Sequence, residues 1–184
     1  MKLTVICGPM FAGKSTRLIN EGERYAKAKQ KVVYLKPSSD TRYSVDEIVT
    51  HDGIKVPASL ITNQLKDRYV VERADVVLID EVQFIEPHLV EEILALVNEG
   101  KTIIVAGLDT DYLGQPFPVV KELMPYADEV VKIKGICRCS KESVMTSLKK
   151  EAREQVKGNF HLGADDQYEA LCRQCFNQEN KEGK

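Results

Sequence analysis

Apolar positions along this chain follow two rhythms. Five short runs are almost continuously apolar and rich in β-branched residues: LTVIC (3–7), KVVYL (31–35), DVVLID (75–80), TIIVAG (102–107) and EVVKIK (129–134). Continuous runs of this length suit strands buried on both faces of a parallel sheet. Between them the period lengthens. Residues 14–29 follow the first run without a proline and are predicted helical. In PHLVEEILALVN (87–98), Leu89, Ile93 and Val97 recur every four residues with Val90 and Leu94 beside them, the apolar stripe of a helix. Pro87 suits its first position and Gly100 the place just past its end. A third helix is predicted over 116–125, carrying Val119, Val120 and Leu123. Strands alternating with helices imply right-handed βαβ units, so residues 1–134 read as one α/β domain.

The rhythm stops near Gly135. Residues 138–170 are rich in Lys, Glu, Gln and Ser, with scattered Met145, Leu148, Val156 and Phe160. That is too few apolar groups for a second core, so something else must order the segment. The final NQENKEGK (177–184) reads as a polar, disordered tail.

Composition narrows the picture. At 184 residues the chain favours one domain with an appendage. Its 43% apolar and 29% charged content is globular, and no run reaches the roughly 20 apolar residues of a membrane helix. The start, MKLTVICGPM, lacks the apolar core and cleavage site of a signal peptide, which suggests a cytoplasmic protein. A net charge of −2 and a pI near 6.0 lack the basic excess usual for nucleic-acid binding. Four of the five cysteines (Cys137, Cys139, Cys172, Cys175) fall in the last quarter. Without a secretion signal, paired cysteines point to metal before disulfide. Cys7 ends a buried run and reads as core.

Candidate chemistry begins at GPMFAGKS (8–15), which matches the phosphate-loop pattern between a strand and a helix. The loop comprises Gly8, Pro9, Met10, Phe11, Ala12, Gly13, Lys14 and Ser15. Its backbone N–H groups can wrap a triphosphate and the helix N-terminus adds a favourable dipole. Lys14 would reach the outer phosphates and the Ser15 hydroxyl would ligate Mg²⁺. The run ending in Asp80 places a carboxylate at the carboxyl end of a strand, where open α/β sheets hold ligands and where it can serve Mg²⁺. Glu81 points elsewhere and is the best candidate for a base toward an acceptor hydroxyl. In an ATPase the same group would polarise water.

Taken together, GPMFAGKST, KP…DTRY…THD, DEVQF, GLD…PF and a terminal pair of cysteine motifs resemble, in that order, the zinc-containing cytosolic thymidine kinases. The resemblance runs from about residue 3 to residue 176. It implies a RecA-like P-loop α/β domain with a small zinc-anchored lid, the lasso, over 135–176. It implies transfer of the ATP γ-phosphate to the 5′-hydroxyl of thymidine or deoxyuridine, in salvage of DNA precursors. Glu81 corresponds to the base, and Asp80 and Gln83 lie near the nucleotide and Mg²⁺. Met10, Phe84, Leu108, Tyr112, Phe117 and Tyr168 fall where the family lines its thymine pocket. Gly163 and Tyr168 match the lid spacing within FHLGADDQY (160–168). A homotetramer inhibited by dTTP is also implied. Asp40–Tyr43 and His51-Asp52 could steady the phosphates or form a surface turn.

A polar lid of about thirty residues costs on the order of 1–2 kcal/mol of backbone entropy per residue fixed. A structural Zn²⁺ contributes around 10 kcal/mol or more in small modules. Four thiolates from two distant pairs would pin both ends of the lid. LCRQC (171–175) supplies a standard C-x-x-C half, whereas Cys137 and Cys139 are one residue closer than the family's usual spacing. A C-x-C pair reaches one ion through a tighter loop. The alternatives are three cysteines with His161 or water, or a site that no longer holds metal. Two further functions fit the motifs: a RecA-like DNA-dependent ATPase, and a non-enzymatic, zinc-stabilised nucleotide sensor.

Overall fold

The computed structural model describes residues 1–40, 44, 46–65, 69–153 and 167–181. In chain order its strands are β1 (Lys2–Cys7), β2 (Val32–Pro37), β3 (Glu47–Val49), β4 (Lys55–Pro57), β5 (Ser59–Ile61), β6 (Val76–Ile79), β7 (Thr102–Gly107), β8 (Glu129–Lys132), β9 (Gly135–Ile136), β10 (Glu142–Ser143), β11 (Met145–Leu148) and β12 (Tyr168–Leu171). The helices are α1 (Lys14–Lys27), α2 (Tyr69–Glu72), α3 (Leu89–Asn98), α4 (Pro118–Leu123), α5 (Lys150–Arg153) and α6 (Arg173–Lys181).

Six strands form a parallel sheet in the order β5-β2-β6-β7-β1-β8. Successive side chains of a strand point to opposite faces. Val5, Val77, Ile79, Ile103 and Val105 accordingly join one buried cluster with Leu89, Ile93, Val119 and Leu123 of α3 and α4. Ile6, Val76, Leu78, Ile104 and Ala106 join another with Leu18 and Ile19 of α1. Burial on both faces is why these strands show no polar alternation.

Several boundaries move from the sequence expectation. Helix α1 stops at Lys27, because Lys29 turns into left-handed backbone at φ 61°. Pro87 lies just outside α3, which His88 precedes as cap. The third helix shortens to six residues with Pro118 at its start, and β8 ends at Lys132. Edge strand β5 and the antiparallel β3–β4 hairpin carried no long apolar run and were not expected.

Beyond Gly135 the chain makes two antiparallel pairs, β9–β10 and β11–β12. Against expectation, this region has a small core: Cys137, Met145, Leu171, Cys172 and Phe176 pack together. The cysteines serve there as compact apolar groups. Residues 177–181, expected in a disordered tail, instead complete α6.

Candidate active site

The phosphate loop leaves β1 at the carboxyl edge of the sheet. Gly8 adopts φ 144°, and a Cβ there would lie 2.2 Å from the Ile133 carbonyl oxygen, so only glycine fits under the neighbouring strand. Phe11 and Gly13 take left-handed φ of 61° and 81° before α1 begins at Lys14. The Lys14 ammonium donates to the Pro9 carbonyl at 2.8 Å, folding back over the loop. Gly13, Lys14, Ser15, Asp80 and Glu81 line a cleft of about 300 Å³. Lys36, Asp40 and the β3–β4 tip, Thr50 to Asp52, line the same cleft. The buried Lys36–Asp40 ion pair spans 3.4 Å, and Lys36 also donates to the Ser44 carbonyl at 2.8 Å. The Phe11 and His51 rings meet at 5.2 Å.

Asp80 is 6% exposed at the end of β6. Burial, then the adjacent Glu81 charge, push its carboxyl up to about 7, while a hydrogen bond from the Ser15 hydroxyl acts in the opposite sense. A buried carboxylate disfavoured in this way, joined to a hydroxyl, is a hard-oxygen pair suited to Mg²⁺. Glu81 leaves the strand at φ 51° and its carboxylate faces the cleft. Gln83, expected beside the nucleotide, is 6% exposed, with its amide donating to Glu81 and accepting from the Leu108 N–H at 3.0 Å.

Next to the cleft lies an apolar cluster. Met10, Leu108 and Tyr168 are buried in it with Leu148 and Ala152, and Tyr112 and Phe117 pack against it. Phe84 meets Phe117 edge-on, ring centroids 6.3 Å apart. Met10 and Leu108 belong both to this cluster and to the cleft wall. The Met10 N–H donates to Thr146 Oγ1 of β11 at 3.1 Å, tying the phosphate loop to the C-terminal region.

The four C-terminal cysteines converge, with all Sγ atoms within 4.8 Å of one another. Cys139 and Cys172 sulfurs are 3.7 Å apart. Tetrahedral Zn–S bonds of about 2.3 Å would set sulfurs about 3.8 Å apart, so the cluster fits Zn²⁺. The short C-x-C spacing works because β9 and β10 close a tight turn. In that turn Cys137 N–H donates to the Lys141 carbonyl and Ser140 N–H to the Cys137 carbonyl, each at 2.8 Å, and Ser140 takes φ 65°. A backbone hydrogen bond from Cys175, with the neighbouring thiols, draws Cys172 down to about 6. Hydrogen bonding with the Cys172 thiol pushes Cys175 up to about 12. Arg138, between the paired cysteines, forms ion pairs with Glu169 at 3.3 Å and with Glu179 at 2.5 Å.

A model of the thymidine kinase family matches residues 1–176. The chain belongs to the thymidine kinase family. The phosphate loop and the Ser15–Asp80 pair are in keeping with that membership. Among solved structures, the chain is similar to a replication initiator DnaA bound to AMPPCP and single-stranded DNA, at 18% identity over 73% of this chain and 40% of that one, TM-score 0.45. It is similar to AMPPCP-bound DnaA from Aquifex aeolicus at 19% identity, over 71% and 40%, TM-score 0.43. A human cancer-related nucleoside triphosphatase matches at 16% identity over 84% and 93%, TM-score 0.39. The chain spans about two fifths of the length of the DnaA chains it matches.

Within this thymidine kinase family member, the expected residues sort clearly. Met10, Leu108, Tyr112, Phe117 and Tyr168 gather in one cluster. Lys14, Ser15, Asp80 and Glu81 share one cleft. Gly163, His161 and Thr41–Tyr43 lie outside the described residues. Sequence reasoning missed Lys36, Thr50, Leu148 and Ala152, which the fold adds to these sites. Lys36 carried a usable signal: a charged residue closing the apolar run VVYL at a strand's carboxyl end. No helix among the described residues is long and apolar enough to cross a membrane.

Proposed function

We propose that the protein is a thymidine kinase, transferring the γ-phosphate of ATP to the 5′-hydroxyl of thymidine or deoxyuridine. The observation that carries this reading is the placement of Glu81 in one cleft with Lys14, Ser15 and Asp80, beside the aromatic and apolar cluster around Tyr168. Glu81 takes the hydroxyl proton as the oxygen attacks phosphorus, and the bond to the leaving β-phosphate oxygen breaks. Lys14 and the loop N–H groups hold the phosphates through this charge transfer. Ser15 and Asp80 would hold Mg²⁺, which would supply charge neutralisation for the phosphates. Met10, Phe84, Leu108, Tyr112, Phe117 and Tyr168 grip the base. Cys137, Cys139, Cys172 and Cys175 would hold Zn²⁺, which would cross-link the two cysteine motifs.

The same base-binding cluster admits dTTP as an end-product inhibitor. A cytoplasmic homotetramer acting in nucleoside salvage, without nucleic-acid or membrane partners, completes the reading. A coupled assay with purified protein, ATP, Mg²⁺ and thymidine tests it. Phosphorylated thymidine is expected, and ATP hydrolysis indifferent to thymidine with no nucleotide product would sink it.

A further inference from the structure

We propose that Gln83 is a positioning residue that aims the Glu81 carboxylate, and that it is not a nucleotide ligand. The inference rests on the reading of Glu81 as the base. Glu81 leaves β6 in left-handed backbone and opens the short turn Val82–Phe84. Glu81 lines an open cleft, and a carboxylate on two methylenes has several staggered arrangements, so its aim depends on the groups that hold it. Gln83, two residues on and 6% exposed, returns an amide to it from inside the wall.

The orientation of that amide is dictated by its second partner. The Leu108 N–H can only donate, and it points at Gln83 Oε1 over 3.0 Å. With the oxygen engaged, the NH₂ end must face Glu81, where it presents a donor to a carboxylate. Gly107 makes room for this arrangement. A Cβ there would lie 2.5 Å from Gln83 Oε1 and 2.9 Å from Val82 Cγ1. The end of β7 is therefore bare where the amide crosses from β6. Leu108 itself touches both the cleft and the apolar cluster, so a single amide registers the base against the residue that bounds both.

Steady-state kinetics of Gln83→Met and Gln83→Asn test the proposal. The first keeps the length without polar atoms, and the second keeps the amide one methylene too short to span both partners. Both should lower kcat by about 10- to 100-fold, the scale of a modest misplacement of a reacting group. KM for ATP and for thymidine should stay within about threefold, the pattern of an interaction that matters in the transition state. ATP binding reports that each variant is folded. If the Met variant does not fold, the Asn variant carries the test. In a Glu81→Gln background, adding Gln83→Asn should change the residual single-turnover rate by less than about threefold, because the two act as one unit. Wild-type kcat in the folded variants, a loss confined to KM for ATP, or an undiminished effect in the Glu81→Gln background each overturns the proposal. Full turnover by Glu81→Gln alone would instead show that the base reading has failed, taking the positioning role with it.

Discussion

The parallel sheet and the cysteine region hold themselves together by different means. In the sheet, Val77, Leu78, Ile103 and Val105 are fully buried and packed on both faces by helices. Each such side chain removed from water stabilises the fold by about 1.5–3 kcal/mol, and many act together. Among the described residues, the cysteine region buries Met145, Leu171 and Phe176 with two of its thiols, and Val144 and Cys175 pack against them. Its strand pairs are two-stranded, an arrangement marginal in water without further support. The sheet can therefore place the phosphate loop and Asp80-Glu81 by packing alone. The cysteine region has too little core to hold its two strand pairs by packing alone. The cleft lined by Lys14, Ser15, Asp80 and Glu81 belongs to the self-sufficient half, and the apolar cluster beside it draws Met10, Leu108, Tyr112 and Phe117 from that half and Leu148, Ala152 and Tyr168 from the dependent one.

Removing metal should divide the molecule along that line. Chelation, or Cys172→Ser, should abolish contributions of around 10 kcal/mol in the cysteine region. Amides of β11 and β12 should lose hydrogen-exchange protection while those of β6 and β7 keep theirs. Parallel loss in both sets would break the comparison. Glu81→Gln should lower thymidine phosphorylation by about 10²- to 10⁴-fold, the usual range for a lost general base. Calorimetry should find its ATP affinity and melting temperature close to wild type, because no core contact changes.

Leu78→Ala addresses the sheet itself. A buried leucine truncated to alanine costs about 2–5 kcal/mol, so denaturant unfolding should shift globally while zinc content per folded chain stays constant. The smallest effect is expected at Arg138→Ala. Arg138 is half exposed where it meets Glu169 and Glu179, so stability should change by no more than about 1 kcal/mol. The change should appear in the exchange of α6 and β12 and leave β1 untouched. A larger loss would show that the metal region leans on its ion pairs more than its exposure suggests.

Much of this division was legible in the sequence. Long β-branched runs revealed β1, β2, β6, β7 and β8; in β1, β6 and β7 burial on both faces leaves a continuous apolar signature, whereas β8 carries its run although it is largely exposed at the sheet edge. The phosphate loop and Asp80-Glu81 were legible because their chemistry depends on adjacent residues. Strand β5 was not, since three residues at a sheet edge carry too little pattern to stand out. The core around Met145, Leu171 and Phe176 was missed because its members come from separate segments and two cysteines complete it. Convergence of Cys137 and Cys139 with the distant pair depended on a turn geometry that spacing alone leaves open. The role of Gln83 was hidden for a similar reason: its partner Leu108 is 25 residues away.

Met10 gives these separate observations a common thermodynamic consequence. Its neighbours in the phosphate loop line the cleft, its side chain lies in the apolar cluster, and its N–H is held by Thr146. A ligand that shifted the loop would therefore move part of the wall of the apolar cluster. By linkage, whatever factor the first ligand imposes on the second is returned unchanged when the order of addition is reversed. Any heterotropic coupling between ligands of the cleft and of the cluster would have a direct route through the Met10–Thr146 hydrogen bond.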